Sequence, residues 1–451
     1  MEYGKQLTSH TTDIDGLIIF DLPVHGDNRG WFKENWQRTK MVELGLPDFG
    51  PVQNNMSFNA LKGVTRGMHA EPWDKFVSVA VGSVFGAWVD LREGSATYGK
   101  TVTVTIGPDT AVYVPRGIAN GFQALEDGTL YTYLVNDHWS PDAEYSFVNL
   151  NMINWPLKPT EISDKDANHP ALIDATPVPP RKVLVVGAGG QLGTALRAVF
   201  PDAEFLSRAD LDITADLRVA KQWKQYSTII NAAAYTAVDR AENDRAAAWA
   251  INATAVANLA TIARENNLTL VHVSSDYVFD GSQESYTEDA PFSPLGVYGQ
   301  SKAAGDIAAA TAPRHYIVRT SWVIGDGNNF VRTMKSLDER GIKPSVVDDQ
   351  IGRLSFTADI AAGIAHLLEV GAEFGTYNLS NSGEPASWAD IARAVFTEPS
   401  DVTGVSTAEY FADKETAPRP LNSVLDLSKI EATGFNAPTW QSRLNDYLKE
   451  L

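Results

Sequence analysis

The chain has 451 residues, too many for one ordinary core, so two domains are the expectation. Its make-up, 44% hydrophobic, 10% aromatic and 21% charged, is that of a globular protein. A formal charge of −19 speaks against a nucleic-acid partner, which needs a basic surface, and the lack of cysteine excludes disulfides and thiolate metal sites. The first residues, MEYGKQLTSHTTDIDG, carry no apolar signal-peptide core, and no stretch approaches the apolar length that spans a bilayer. The expectation is a cytoplasmic enzyme with no membrane partner.

In chain order, the first half alternates apolar and polar residues in short runs: FVSVAVGSVFGAWVDL (76–91), KTVTVTI (100–106), TAVYVP (110–115) and TLYTYLV (129–135). Glycine, proline and asparagine punctuate them, the pattern of a β-sandwich or barrel. ATPVPPRK (175–182) follows, with three prolines in four residues, and reads as a stiff linker. The expected division is residues 1–175, a linker over 176–181, and residues 182–451.

Beyond the linker the period changes. KVLVVGAGG (182–190) is a buried strand entering a glycine turn, and QLGTALRAVF (191–200) has helical spacing. TIINAAA (228–234), LTLVHVSS (268–275) and HYIVRTS (315–321) are further strands, separated by alanine-rich helical stretches such as 245–266. Strands alternating with helices predict a parallel sheet covered on both faces.

Four groups in this half carry chemistry. Gly187, Gly190 and Gly193 follow the first strand, where they allow a tight turn and a close approach to a pyrophosphate, with the helix from Gln191 and Leu192 aimed at the phosphates. Ala232, Ala233 and Ala234 are small enough for a cofactor to lie against the strand end. Tyr298 and Lys302 share a helical face at i and i+4, and a neighbouring ammonium is expected to lower the phenol's pKa towards working pH. Ser275, at the end of a strand, offers a hydroxyl for a carbonyl oxygen. The ordinary alternatives are a plain glycine turn, two exposed helix residues and a strand-terminal turn. Ser207 and Arg208, where an NAD-specific fold would place an acid, suit a 2′-phosphate, so NADPH is the expected cofactor, with NADH accepted as the alternative.

These residues resemble the extended short-chain dehydrogenase/reductase family over 182–451. The likeness is greatest to its dTDP-4-dehydrorhamnose reductases, through NAAAYTAVDRAE (231–242), SSDYVFDG (274–281), PLGVYGQSK (294–302), RTSWVIGDGNNF (319–330) and DDQIGRLS (348–355). The resemblance implies a Rossmann fold with a smaller C-terminal substrate subdomain. It makes Tyr298 the proton donor and Lys302 the residue orienting cofactor and Tyr298. Ser275 is the third member, where the family usually has Thr. Asp276, Trp322, Asn329 and Arg353 would shape the substrate site. No carboxylate set demands Mg2+ in this half, and none is expected.

In the first half, His69, Tyr133 and Asp166 are the candidates. A His paired with a buried carboxylate is a good general base, and a Tyr on the opposite face could return the proton, as epimerisation requires. The ordinary alternative for His69 is a satisfied histidine near a core. Of the eight His in the chain, the five here (His10, His25, His69, His138 and His169) show no close pair on a strand, so no catalytic metal is expected.

HGDNRGWFKE (25–34), VQNNMS (52–57), VTRGMH (64–69), 75–92, VYVPRGIANGF (112–122), YTYLVNDHWSP (131–141) and SDKDANHP (163–170) resemble the dTDP-4-dehydrorhamnose 3,5-epimerase family over roughly 14–173. That resemblance implies a metal-free, cupin-type β-sandwich (jelly roll) with His69 as base, Asp166 its partner and Tyr133 the acid. Arg29, Arg66 and Lys75 would contact mainly the substrate diphosphate, and Glu34, Gln53 and Asn55 the nucleoside. Departures are Asn120 where the family commonly has His, Asn54-Asn55-Met56 for Asp-Asn-His, and Ser78 for Arg.

The two resemblances imply one bifunctional chain that epimerises dTDP-4-keto-6-deoxy-D-glucose and then reduces its C4 ketone to dTDP-L-rhamnose. The partners implied are the dTDP-sugar and a second copy, in a homodimer through the epimerase half. The alternatives are a single-carbon epimerase/reductase making another deoxysugar and a reductase-like regulatory subunit.

Overall fold

A computed structural model describes residues 3–141, 143–412 and 414–451. The chain divides into two compact units, one ending at Pro180 and the other beginning at Arg181. The proline segment is not free of the first unit: Val178 is buried, donates to the Leu91 carbonyl at 2.7 Å and accepts from the Glu93 amide at 2.9 Å.

Two antiparallel sheets build the first unit. In the six-stranded sheet the order is Thr8–Thr11, Ile18–Asp21, Thr110–Val114, Lys75–Val81, Thr129–Val135 and Gln53–Asn59. The five-stranded sheet runs Ser146–Phe147, Thr65–Ala70, Ile118–Ala124, Val84–Asp90 and Thr101–Ile106. Alternation in Thr101–Ile106 sends its threonines to solvent. Val77, Val112 and Tyr131 of one sheet meet Trp88, Ile118 and Phe122 of the other in a shared core. This is a cupin-type β-sandwich.

The second unit has a Rossmann architecture. Six parallel strands lie in the order Glu204–Leu206, Lys182–Val186, Tyr226–Asn231, Thr269–Ser275, His315–Thr320 and Gly375–Asn378. Leu184 and Val186 enter one core while Val185 enters another, so successive residues of the strand serve opposite faces. Strand order reverses beside Lys182–Val186, the place where such sheets open a ligand crevice. A third core, including Ile324, Phe356, Ile391 and Trp440, holds together a smaller lobe of short two-stranded ladders and helices.

One expectation fails. Arg245–Glu265 is a 21-residue helical stretch long and apolar enough to cross a membrane by length and composition. Its apolarity has a local cause: Val256, Leu259, Ala260 and Ile262 pack into the core under the parallel sheet. The stretch passes through a π-helical turn at Ala250–Thr254, where the buried Asn252 side chain holds both backbone groups of Tyr235 and donates to Ser301 Oγ at 3.0 Å.

Candidate functional site

In the first unit, a cavity of about 730 Å³ opens between the sheets. Strand Thr65–Ala70 places His69 on its wall, and strand Thr129–Val135 of the other sheet places Tyr133 there. His69 Nε2 lies 2.9 Å from Asp166 Oδ1, while Asp166 Oδ2 accepts from the Gly67 amide at 3.1 Å. Asp166 sits in the short helix Asp164–Ala167, capped by the Ser163 hydroxyl, which accepts from the Asp166 amide. Burial pushes the Asp166 carboxyl up, but the hydrogen bonds from His69 and Gly67 outweigh it and hold the group below the usual carboxylate range. A proton on Nε2 facing a carboxylate leaves Nδ1 as the basic nitrogen.

Burial and the negative charge of Glu71 push the Tyr133 phenol up to about 12, against smaller opposing effects of an Asn55 hydrogen bond and Arg66. It therefore stays a proton donor at neutral pH. Lys75 Nζ lies 5.4 Å from the centre of its ring. Arg66, Lys75 and Asn120 line the cavity, and Asn120 stands directly across the ladder from His69, accepting from Tyr131 OH at 3.3 Å. Asn55 pairs with Tyr133 across the ladder and accepts from Gln53 Nε2 at 2.8 Å. Arg29 and Glu34 do not line this cavity. Arg29 is on an exposed hairpin tip, paired with Asp27, and Glu34 pairs with Lys40.

The histidines are less separate than their positions in the sequence suggested. His169 follows the Asp166 helix, and its ring centre lies 5.2 Å from that of His69, with Nε2 3.8 Å from Asp166 Oδ1. Ligand atoms of His69, Asp166 and His169 all lie within 4.8 Å of one another, a set able to take a metal ion. A spacing of a hundred residues gave no signal for it. Burial and the proximity of His69 lower the His169 pKa, which favours a neutral ring.

In the second unit a cavity of about 310 Å³ lies in the crevice, lined by Gly187, Gly190, Ser207, Arg208, Ala232, Ala233 and Ala234 among others. Gly187 has φ +84°, and a Cβ there would lie 2.5 Å from the Ala233 nitrogen. A Cβ on Gly193 would come 2.4 Å from the Gly187 carbonyl, so helix Gln191–Val199 can begin this close to the strand only with glycine there. Leu192 is a core residue, and Gln191 donates to the Asn328 carbonyl at 3.1 Å. A backbone cradle that a Cβ at Gly187 or Gly193 would fill, beside a strand end carrying Arg208, fits a dinucleotide.

Helix Val297–Ala309 carries Tyr298 and Lys302. Lys302 is buried, and its ammonium donates to the Val273 carbonyl at 2.7 Å. The expected lowering of the Tyr298 pKa does not occur: burial pushes the phenol up to about 12, and a hydrogen bond with Ser275 offsets only part of this. Burial also lowers Lys302 itself to about 8, despite the nearby Asp306 carboxylate. Ser275 Oγ donates to Asp276 Oδ1 at 2.9 Å, and burial raises the Asp276 carboxyl to about 6.

Trp322 stacks on Trp388 at 3.9 Å between ring centres, with φ +43°, an uncommon conformation for a bulky residue. Asn329 caps helix Phe330–Glu339 and bonds Tyr447, and Arg353 donates to the Gly383 and Leu425 carbonyls. These side chains are committed to the protein's own backbone and neighbours.

A family model described as RmlD substrate binding domain matches residues 181–451, and one described as dTDP-4-dehydrorhamnose 3,5-epimerase matches residues 11–174. The protein RmlC homolog of Streptococcus pyogenes serotype M6 is 50% identical over 181 residues, covering 38% of this chain and 91% of that protein. The dTDP-4-dehydrorhamnose reductase of Aggregatibacter actinomycetemcomitans is 39% identical over 291 residues, 59% of this chain and 97% of that protein. The crystal structure of dTDP-4-dehydrorhamnose reductase from Bacillus anthracis in complex with NADP is 35% identical, covers 60% of this chain and 100% of that one, and has a TM-score of 0.56.

Proposed function

Since the chain belongs to the RmlD substrate-binding-domain family through residues 181–451 and to the dTDP-4-dehydrorhamnose 3,5-epimerase family through its first unit, we propose that it performs two successive steps on one dTDP-sugar. The first is 3,5-epimerisation of dTDP-4-keto-6-deoxy-D-glucose. The second is NADPH-dependent reduction of the C4 ketone, giving dTDP-L-rhamnose.

The observation that carries this reading is the placement of His69 and Tyr133 on opposite sheets around one cavity, with Asp166 2.9 Å behind the imidazole. His69 Nδ1 removes the proton α to the C4 ketone, and Asp166 supports the imidazolium that forms. Tyr133, held protonated, returns a proton from the other face. Arg66 and Lys75 supply positive charge for the diphosphate and for the enolate oxygen. Arg29 and Glu34, remote from the cavity of their own chain, are assigned to the substrate through a homodimer of this unit, to be checked by sedimentation.

In the second unit Gly187, Gly190 and Gly193 make room for the pyrophosphate, and Ser207 and Arg208, which line the same crevice, take the 2′-phosphate. NADPH, when bound, supplies the hydride. Tyr298 gives its proton to the C4 oxygen, Ser275 orients that oxygen, and Lys302 holds cofactor and Tyr298. The epimerase site is proposed to work without a metal, because a cation on His69, Asp166 and His169 would displace the Nε2 proton that sets the base. A chelator is expected to leave deuterium incorporation into substrate unchanged; loss of it would overturn this part.

The test feeds dTDP-4-keto-6-deoxyglucose and NADPH to the purified chain and to His69→Ala. Wild type is expected to oxidise NADPH and the variant not to. Equal oxidation by both would overturn the coupling of the two steps.

A further inference from the structure

Glu71 is a carboxylate for which neither the sequence patterns nor the two steps above have a use. It follows strand Thr65–Ala70, is 9% exposed and lines the epimerase cavity. Its Oε2 lies 2.6 Å from Lys75 Nζ and accepts from Trp73 Nε1 at 2.7 Å. Lys75 is as deeply buried, so two opposite charges are held out of bulk water on the Tyr133 side of the cavity. Desolvating such a pair carries a cost that attraction only roughly offsets, so it is not explained by stability alone. What the pair does provide is a fixed dipole beside the phenol.

We propose that Glu71 is a positioning residue for proton return: it fixes the Lys75 ammonium beside the Tyr133 ring and keeps a negative charge near that phenol, so that Tyr133 reaches the enolate carrying its proton. The charged and titratable groups around Tyr133 come from several elements. Glu71 and Lys75 flank it from the 71–75 segment, Arg66 from strand Thr65–Ala70 and Asn55 from strand Gln53–Asn59. Tyr131 lies on its own strand at 6.0 Å between ring centres, Tyr145 feels its charge from beyond strand Thr129–Val135, and His69 shares the cavity wall. Of these, Glu71 is the negative group whose field opposes phenolate formation, and Arg66 favours it with a smaller effect. Lys75 is the cation with which an enolate oxygen and Glu71 would share an ammonium; the carboxylate holds it in place before substrate arrives.

The inference rests on Tyr133 being the proton donor, and the experiment separates the two. Solvent deuterium incorporation at C3 and C5 is followed by NMR across pH in the full chain, for wild type, Tyr133→Phe, Glu71→Gln and Glu71→Asp. Tyr133→Phe is expected to stall incorporation; if it does not, the donor assignment fails whatever Glu71 does. With the donor established, Glu71→Gln is expected to lower kcat about tenfold, less than the roughly 10²–10⁴-fold that loss of a general acid itself costs. It should leave KM within about twofold and shift the alkaline limb of kcat/KM down by about one pH unit, because removing a nearby negative charge eases ionisation of Tyr133. Glu71→Asp, which keeps the charge, returns the limb towards its wild-type place. A Glu71→Gln profile identical to wild type overturns the proposal, as does a rate loss with the alkaline limb unmoved. Should Glu71→Gln not fold, Glu71→Met, which removes the charge at similar side-chain length, is expected to shift the limb in the same direction, and an unmoved limb there overturns the proposal equally.

Discussion

Asp166 works through both its oxygens, one orienting His69 and the other holding the Gly67 amide. Asp166→Asn keeps the shape but loses the charge that supports the imidazolium, and is expected to cut epimerisation by roughly 10²–10³-fold, read as deuterium incorporation. The same residue has a stability signature. Its native pKa lies below the unfolded value, so its contribution is present above the unfolded pKa and is lost as pH falls through the native one. Acid unfolding followed by circular dichroism should therefore be less steep in Asp166→Asn. In the reductase, Lys302 loses its proton as pH rises through about 8. If the charged form is what catalysis needs, kcat/KM for NADPH-dependent reduction falls above that pH while deuterium incorporation in the first unit does not share that limb. A reduction profile flat to pH 9.5 would contradict this role.

At the scale of elements, the turn between strand Lys182–Val186 and helix Gln191–Val199 leaves the least freedom. Gly187→Ala forces a side chain into left-handed backbone, costing about 1 kcal/mol, and presses a methyl on Ala233. Isothermal titration is expected to show NADPH affinity down by at least about tenfold, with the first unit's epimerisation untouched. This turn was readable in the sequence because a glycine requirement is local, and so were the strands on either side of it. His69, Tyr133 and Asp166, which lie around one cavity, were grouped in the sequence only through resemblance to a family, since three different elements bring them together. Glu71 and His169 were missed for the same reason: their partners are set by how strands and a short helix pack, not by spacing. Tyr298 shows the opposite failure. Helical spacing with Lys302 was right, but the ammonium is turned to the Val273 carbonyl, and burial decides the phenol's pKa.

Across the whole molecule, each unit has its own hydrophobic clusters and its own candidate site. Pieces 1–180 and 181–451 expressed apart are therefore expected to keep their separate activities, and their mixture to make the same product as the intact chain. Failure of either piece to fold, seen as loss of a cooperative melt, would mean the units depend on each other. The division was legible from the shift between two-residue and helical periodicity, but the proline segment was not. Val178 ties it into the first unit by backbone hydrogen bonds, which a proline count does not register.

That short joint also has a consequence for flux. One polypeptide fixes the supply of the two catalysts at a ratio of one to one, whatever the level of synthesis or turnover. The standing concentration of the epimerised ketone, a compound that can enolise back, is then set by rate constants and by the supply of substrate and NADPH, and not by the relative expression of two proteins. A lesion that slows the reductase, such as Gly187→Ala, should make that ketone accumulate, and the cell could not correct it by making more reductase without equally more epimerase.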